Sequence, residues 1–275
     1  MANIVIPTAY QMQRIDRANG YVPGVGPLVH PGLWQGSVGA WAGLGRPQGS
    51  KWLDSSGRKN HGVLTNGPVW TPTKHRGRVM TGLAFDGADD HVECGDVSIF
   101  DGVGKLTCVT WIKPSALGAQ AMLGKNGSGQ QAFSWQIEAD GEILVGIGTT
   151  NTTNLDIGLV ADSWQCIAFT YDDDANTVNA YRNGILEDSG ANTGGTIPNT
   201  SSSFQIGKQE WVGYERPFNG LLDDIHIHNR ALTPKEMGTL AEAPYAAYEC
   251  RKRPTVFVFG ATGNRRRRVI CGAVA

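Results

Sequence analysis

A chain of 275 residues with 40% hydrophobic side chains is long enough to close a substantial core, which excludes disorder for most of its length. Thirty-seven glycines and 13 prolines, beside only 18% charged residues, exclude a structure of long helices and point to many short strands joined by tight turns. The formal net charge of -1 leaves no whole-molecule field for nucleic acid or an anionic membrane. Neither a signal peptide nor a membrane span is read, so folding in a cytosol is expected.

Residues 1–32 hold few large apolar side chains beyond Ile4 to Ile6, and Gly20-Tyr-Val-Pro-Gly-Val-Gly-Pro27 cannot carry a helix, so an extended N-terminal arm is predicted. The packed domain is assigned to residues 33–243. It opens with a strand over Leu33 to Trp41 and a glycine-rich loop to Trp52. Strands follow at Gly82–Asp86, His91–Cys94 and Leu106–Ile112, the last closed by Pro114. Phe133–Glu138 and Glu142–Ile147 flank Asp140-Gly141, a hairpin turn. Trp164–Tyr171 and Thr177–Arg182 form a second hairpin, Asn183-Gly184 makes another tight turn, and Phe204–Gly207 and Leu221–His228 complete the set. Thr233–Ala241 reads as a helix, with Thr233 as cap, Pro234 in the first turn and Glu236 closing a capping box.

Residues 244–275 form a separate electrostatic object with seven basic side chains and one acidic one. Arg251, Lys252, Arg253 and Arg265, Arg266, Arg267 and Arg268 surround the apolar run Val256, Phe257, Val258 and Phe259, which reads as a basic β-hairpin tail suited to docking on a partner. Nucleic-acid binding is not expected, because aromatic interleaving is confined to Phe257 and Phe259. The cysteines, Cys94, Cys108, Cys166, Cys250 and Cys271, lack C-x-x-C spacing, so a zinc site is not expected. Cys108 and Cys166 read as buried free thiols, while pairing of Cys250 with Cys271 stays open.

Five motifs occur in order: Asp54-Ser-Ser-Gly-Arg-Lys-Asn-His-Gly62, Leu83-Ala-Phe-Asp-Gly-Ala-Asp-Asp-His-Val92, Val109-Thr-Trp-Ile-Lys-Pro114, Ala180-Tyr-Arg-Asn-Gly184 and Gly220 to Leu232. Together they resemble a laminin G-like domain of the concanavalin A-like lectin and glucanase superfamily. The resemblance covers about Leu33 to Ala243 and implies an all-β jelly-roll sandwich of two antiparallel sheets. Arm, sandwich and arginine-rich tail together resemble small virion proteins of tailed bacteriophages. This implies a capsid decoration or head-fibre subunit, localised to the virion, with capsid or neck proteins as partners, a homo-oligomeric state and no membrane association; the alternative is a cellular carbohydrate-binding or adhesion module, with a glycosidase third.

The superfamily hosts sugar-binding proteins, glycosidases and adhesion modules, so the site must decide. Trp211 and Tyr214 are the candidate glycan-binding residues, since aromatic rings stack on sugars; the alternative is that they anchor their loop. Glu138-Ala-Asp-Gly-Glu142 matches the E-x-D-x-E run of the family's glucanases, yet the Asp140-Gly141 turn places Glu138 and Glu142 across a hairpin mouth, and no enzyme is expected. Asp54, Asn60 and Asp223 are candidate ligands of a structural calcium, the first two around a glycine bend and Asp223 by the resemblance; the alternative is that Asp54 and Asn60 satisfy backbone donors in a turn. The acidic turn Asp172 to Asp174 reads as a solvated tip, and His226 and His228 as an exposed strand face opposite the core.

Overall fold

The computed structural model describes residues 4–17, 20–23, 25–44, 48–127, 130–211 and 214–251. Two eight-stranded antiparallel sheets face one another as a jelly-roll sandwich. One runs in the order Ile185–Ala191, Thr177–Arg182, Gln165–Asp172, Lys105–Pro114, Asn219–His228, Arg78–Asp86, Val69–His75, with Ser37–Trp41 also paired to Asn219–His228. The other runs Asn151–Leu155, Ile143–Ile147, Gln130–Ile137, Gln120–Gly127, Phe204–Ile206, His91–Glu93, Gly62–Thr65, Lys51–Trp52. Among the described residues no helix is long and apolar enough to cross a membrane.

Alternation sets the interior. Leu106, Cys108 and Ile112 point inward from their strand and meet Phe133, Trp135 and Ile137 from the opposite sheet, with Ile167, Phe169 and Tyr171 in the same cluster. Cys108 and Cys166 are buried free thiols, as expected, and Trp111, Trp135 and Trp164 are buried as well. The turn residues Asn183 and Gly184 both have positive φ, at 53° and 82°, which is the backbone a two-residue hairpin between Arg182 and Ile185 demands. A side chain at Gly184 would also strike Gly238 Cα at 2.9 Å on the capping helix. The Asp140-Gly141 hairpin differs from expectation: its loop has three residues, the Glu138 carbonyl accepts from the Gly141 N–H, and Glu138 pairs with Glu142, so only Gly141 needs positive φ. The helix spans Pro234–Glu242, with the Thr233 and Glu236 capping box formed.

The other face of the first sheet is apolar too. Val109, Trp111, Cys166 and Ala168 alternate with the inward residues, and they are covered by a second core. This corrects the extended arm predicted for residues 1–32. The arm folds as a short helix, Ala9–Met12, a small hairpin of Tyr21–Val22 with Gly26–Pro27, and a 3-10 turn, Pro31–Trp34; Met12, Val22, Leu33 and Trp34 are buried. The boundary predicted at Pro244 also falls inside this core, since Tyr245, Tyr248 and Cys250 are buried there. Ile4–Val5 pairs with Cys250–Arg251, and Trp34 Nε1 donates to the Ala247 carbonyl at 2.9 Å. His226 and His228 lie beneath this cover, at 1% and 0% exposure, and not on an exposed face. Burial, with His226 alongside, pulls the His228 pKa down to about 3.

One bulge organises these contacts. Asn219–His228 pairs with Arg78–Asp86 through Leu222 and with Ser37–Trp41 from Ile225, and between them Asp224 takes φ 49°. Both bulge carboxylates are buried. Asp223 Oδ1 accepts from the N–H groups of Gly43 (2.9 Å) and Asp224 (2.7 Å), and its Oδ2 accepts from the Tyr245 hydroxyl. Asp224 accepts from the Tyr245 N–H (2.6 Å) and holds His226 Nε2 at 2.9 Å. Burial, and then the neighbouring Asp224, push the Asp223 carboxyl from its ordinary 3.8 up to about 7 against these donors.

The native state therefore keeps a proton on Asp223 that the unfolded chain releases above about pH 4. Its contribution to stability is complete below that pH and is lost as pH rises through about 7. Asp223→Asn should flatten the fall of unfolding free energy between pH 4 and 7, measured by denaturant titration across a pH series. Tyr248→Ala should cost about 3–5 kcal/mol, as for a buried aromatic in a single core, and would be near neutral if the outer cover were only loosely attached.

Candidate functional site

The second sheet turns a polar row outward. In the Gln130–Ile137 strand, Phe133, Trp135 and Ile137 enter the core, leaving Ser134 and Gln136 on the opposite face. Ser134 lies in register between Gly124 and Gly146, and Gly146 in turn opposes Thr152. A Cβ on Gly146 would sit 2.4 Å from Gln131 Nε2 and 2.6 Å from Ser134 Oγ, so a side chain there would displace both groups from their present positions. The result is a cleft of about 190 Å³ floored by Ser134 and Gln136 and walled by Gln131, Gln209, Glu138 and Arg216, with Leu144, Thr149 and Thr152 at its side.

Gln209 and Arg216 bracket the segment that carries Trp211 and Tyr214. Glu210–Trp211 pairs with Tyr214–Glu215, so Trp211 and Tyr214 stand directly opposite each other. The Arg216 N–H donates to the Gln209 carbonyl at 3.1 Å, and the Ala121 N–H to the Arg216 carbonyl at 3.2 Å, tying this hairpin to the sheet beside the cleft. The aromatic pair chosen from sequence thus lies on the hairpin whose two ends enter the cleft.

Charges in the site come balanced. Arg216 Nη1 donates to Gln136 Oε1 at 2.6 Å and pairs with Glu138 Oε1. Glu210 and Glu215 are cross-strand partners, a repulsive placement relieved by Lys208 Nζ at 3.2 Å and 3.0 Å. Burial opposes the Lys208 ammonium, but the hydrogen bonds that it donates to Glu215 and Glu210 outweigh this and raise its pKa. Gln209 Nε2 donates to Asn126 at 2.8 Å in the Asn126 amide orientation that also lets it donate to the Phe133 carbonyl. Gln209 Oε1 is a buried acceptor with no donor among the described residues.

The three calcium candidates have other employment. Asp54 Oδ1 accepts from the N–H groups of Ala40 (3.0 Å) and Ser56 (2.7 Å), and Oδ2 from Ser56 Oγ (2.8 Å) and the Asn60 N–H (3.0 Å). Asn60 Nδ2 donates to the Val38 carbonyl at 3.2 Å, and its own carbonyl accepts from Trp41 Nε1 at 2.9 Å. Asp223 is filled by the bulge donors. The oxygens of Asp54 and Asp223 are turned to N–H and O–H hydrogens, an arrangement that does not fit a bound cation. Asp86, Asp89 and Asp90 do bring ligand oxygens within 4.8 Å of one another, with Asp90 buried and its pKa raised, first by desolvation. At the Asp172–Asp174 tip the cation is Lys105, whose Nζ lies 2.8 Å from Asp172 and 3.0 Å from Asp174.

Of the docking residues, Arg251 is exposed and opposite Ile4; Lys252, Arg253, Val256, Phe257, Val258, Phe259, Arg265, Arg266, Arg267 and Arg268 lie outside the described residues. Sequence reasoning missed Gln131, Ser134, Gln136, Gln209 and Arg216. The available signal was the alternation of Ser134, Gln136 and Glu138 with three large apolar neighbours, which marks one polar face.

A laminin G family model described as the concanavalin A-like lectin/glucanases superfamily matches residues 86–238. No curated protein matches the chain. Among solved structures, domain 4 of AbnA, an extracellular GH43 arabinanase from Geobacillus stearothermophilus in complex with arabinotriose, is similar at TM-score 0.55 and 21% identity, covering 74% of this chain and 98% of that one. The Trypanosoma rangeli sialidase in complex with sialic acid gives TM-score 0.56 at 19% identity over 82% of this chain and 36% of its own. The binding domain of Paraclostridial Mosquitocidal Protein 1 gives 0.56 at 14% identity, covering 76% of this chain and 52% of that chain. At these identities the likeness is one of fold, and the chain spans about a third of the sialidase. With more than half of its residues matched by the family model and the sandwich in place, the chain belongs to the concanavalin A-like lectin/glucanases superfamily.

Proposed function

We propose that this chain is a non-enzymatic glycan-binding module whose site is the Gln136, Glu138 and Arg216 cleft beside the Trp211 and Tyr214 hairpin. The observation that carries this reading is the combination of planar amide and guanidinium groups, matched to paired hydroxyls, with an aromatic hairpin fixed at the cleft by Arg216 and Gln209. The arabinotriose complex of the arabinanase domain is an instance of this fold beside a sugar; the cleft residues, not that likeness, support the assignment here. Hydrolysis needs two carboxylates flanking the bond, and among the described residues lining the cleft Glu138 is the one carboxylate and is held by Arg216.

Binding measured by glycan array and calorimetry should fall about tenfold or more in Arg216→Met and in Trp211→Ala, with melting temperatures close to that of the parent. Unchanged affinity in both would remove the cleft from the reading.

We further propose that the module is displayed on a virion and docked by its basic C-terminal segment. This rests on the sequence pattern and on the arm being committed to the second core, which leaves residues 252–275 for docking. Deleting residues 252–275 should leave cooperative unfolding intact and abolish incorporation into particles. Normal occupancy of the truncated chain would refute this docking role.

A further inference from the structure

The charge arrangement around the cleft carries one step more than glycan binding. Arg216 is the cation among the described residues lining the cleft, and its guanidinium is already engaged by the Glu138 carboxylate and the Gln136 carbonyl oxygen. Both partners are partly buried, Arg216 at 22% and Glu138 at 18% side-chain exposure, so the pair is reachable from the cleft. The hairpin next to them adds no positive charge: Lys208 is taken up by Glu210 and Glu215. Counted formally, Lys208, Arg216, Glu138, Glu210 and Glu215 leave one negative charge at this end of the sheet. The remaining polar groups of the cleft are neutral amides and hydroxyls, and Gln209 Oε1 is an acceptor in need of an O–H or N–H donor.

We infer, resting on the glycan-binding reading, that the cleft selects neutral glycans over acidic ones and that Glu138 is the residue that sets this selectivity. A sugar hydroxyl both donates and accepts, so it can bridge the Glu138 carboxylate and the Arg216 guanidinium without breaking their pair. The carboxylate of a uronic or sialic acid can only accept. To reach Arg216 it must displace Glu138, leaving that carboxylate enclosed and unpaired, or sit beside it as a second enclosed anion. Glu138 thus acts on an acidic ligand by neutralising Arg216 in advance.

The test is an array of matched oligosaccharides, each neutral trisaccharide beside its uronic acid counterpart and lactose beside sialyllactose, read with the full-length chain and followed by calorimetry on the best pair. Neutral members should bind about tenfold or more tightly than their acidic counterparts, the scale of one charge-assisted hydrogen bond. Glu138→Gln, checked for an unchanged melting curve, should shift that ratio toward the acidic member by about tenfold, and the gained affinity should weaken with salt and vanish in the Glu138→Gln, Arg216→Met double variant. Should Glu138→Gln fail to fold, Glu138→Met is read in its place. Acidic members bound as tightly as neutral ones by the parent chain, or a ratio unmoved by removing the Glu138 charge, overturns the selectivity while leaving glycan binding standing. Binding of no glycan by the parent chain overturns both.

Discussion

Two adjacent carboxylates buried in a β-bulge are the constraint around which this structure is arranged. Asp223 and Asp224 sit where one strand leaves Arg78–Asp86 and joins Ser37–Trp41, and carboxyl groups buried at such a bulge must find hydrogen-bond donors. The partners come from far away in the chain: Gly43 from the segment after the first sheet strand, and Tyr245, with both its N–H and its hydroxyl, from the segment after the helix. The Tyr245 hydroxyl in turn accepts from the Thr81 N–H at 3.1 Å. Burying two carboxylates side by side is costly, and satisfying them with five donors is what makes the bulge tolerable. It also forces the chain beyond the helix to stay on the sandwich.

That attachment explains the different character of the two sheets. Once Tyr245 is held at the bulge, Tyr248 and Cys250 follow over the outer face of the first sheet, where Trp34 and the N-terminal segment meet them. The central strands of the first sheet, Lys105–Pro114, Gln165–Asp172 and Asn219–His228, are thereby buried on both faces, while Val69–His75 and Ile185–Ala191 at its edges stay largely exposed. On the second sheet Ser134 and Gln136 are themselves buried, while Thr149 and Thr152 at the side of their cleft are exposed. A small-residue row through Gly124 and Gly146 sinks this face into a cleft, and the paired charges of the neighbouring hairpin hold its rim in shape. The proposed site lies on the second sheet, since the outer face of the first is covered at its centre by its own chain.

How much of this was legible in the sequence follows the range of the interactions. The strands from Gly82 to His228, the hairpin turns, the capped helix and the free core cysteines are written in alternation, turn residues and capping pairs, all local signals that act within a few residues. The five motifs were enough to identify the superfamily. Trp211 and Tyr214 are proposed from sequence because a glycine-containing aromatic loop stands out from its strand neighbours. The cleft beneath them did not stand out: Gln136 meets Arg216 across 80 residues, and nothing local distinguishes Ser134 from any outward serine on a strand.

The sequence by itself therefore determined that the chain is an all-β sandwich of this superfamily, where most of its strands run and which residues point inward. Only the tertiary structure decided what lies against the outward faces. His226 and His228 alternate with isoleucines as residues on a solvated strand would, and they are buried because the N-terminal segment and Tyr248 pack over them. Asp54 and Asp223 have the composition of cation ligands, and they are spent on N–H and O–H donors brought from Ala40, Gly43 and Tyr245. Period-two alternation tells a residue which face it shares with its neighbours, but whether that face meets water, another segment or a ligand is fixed by contacts between residues distant in the chain, and no local pattern encodes those.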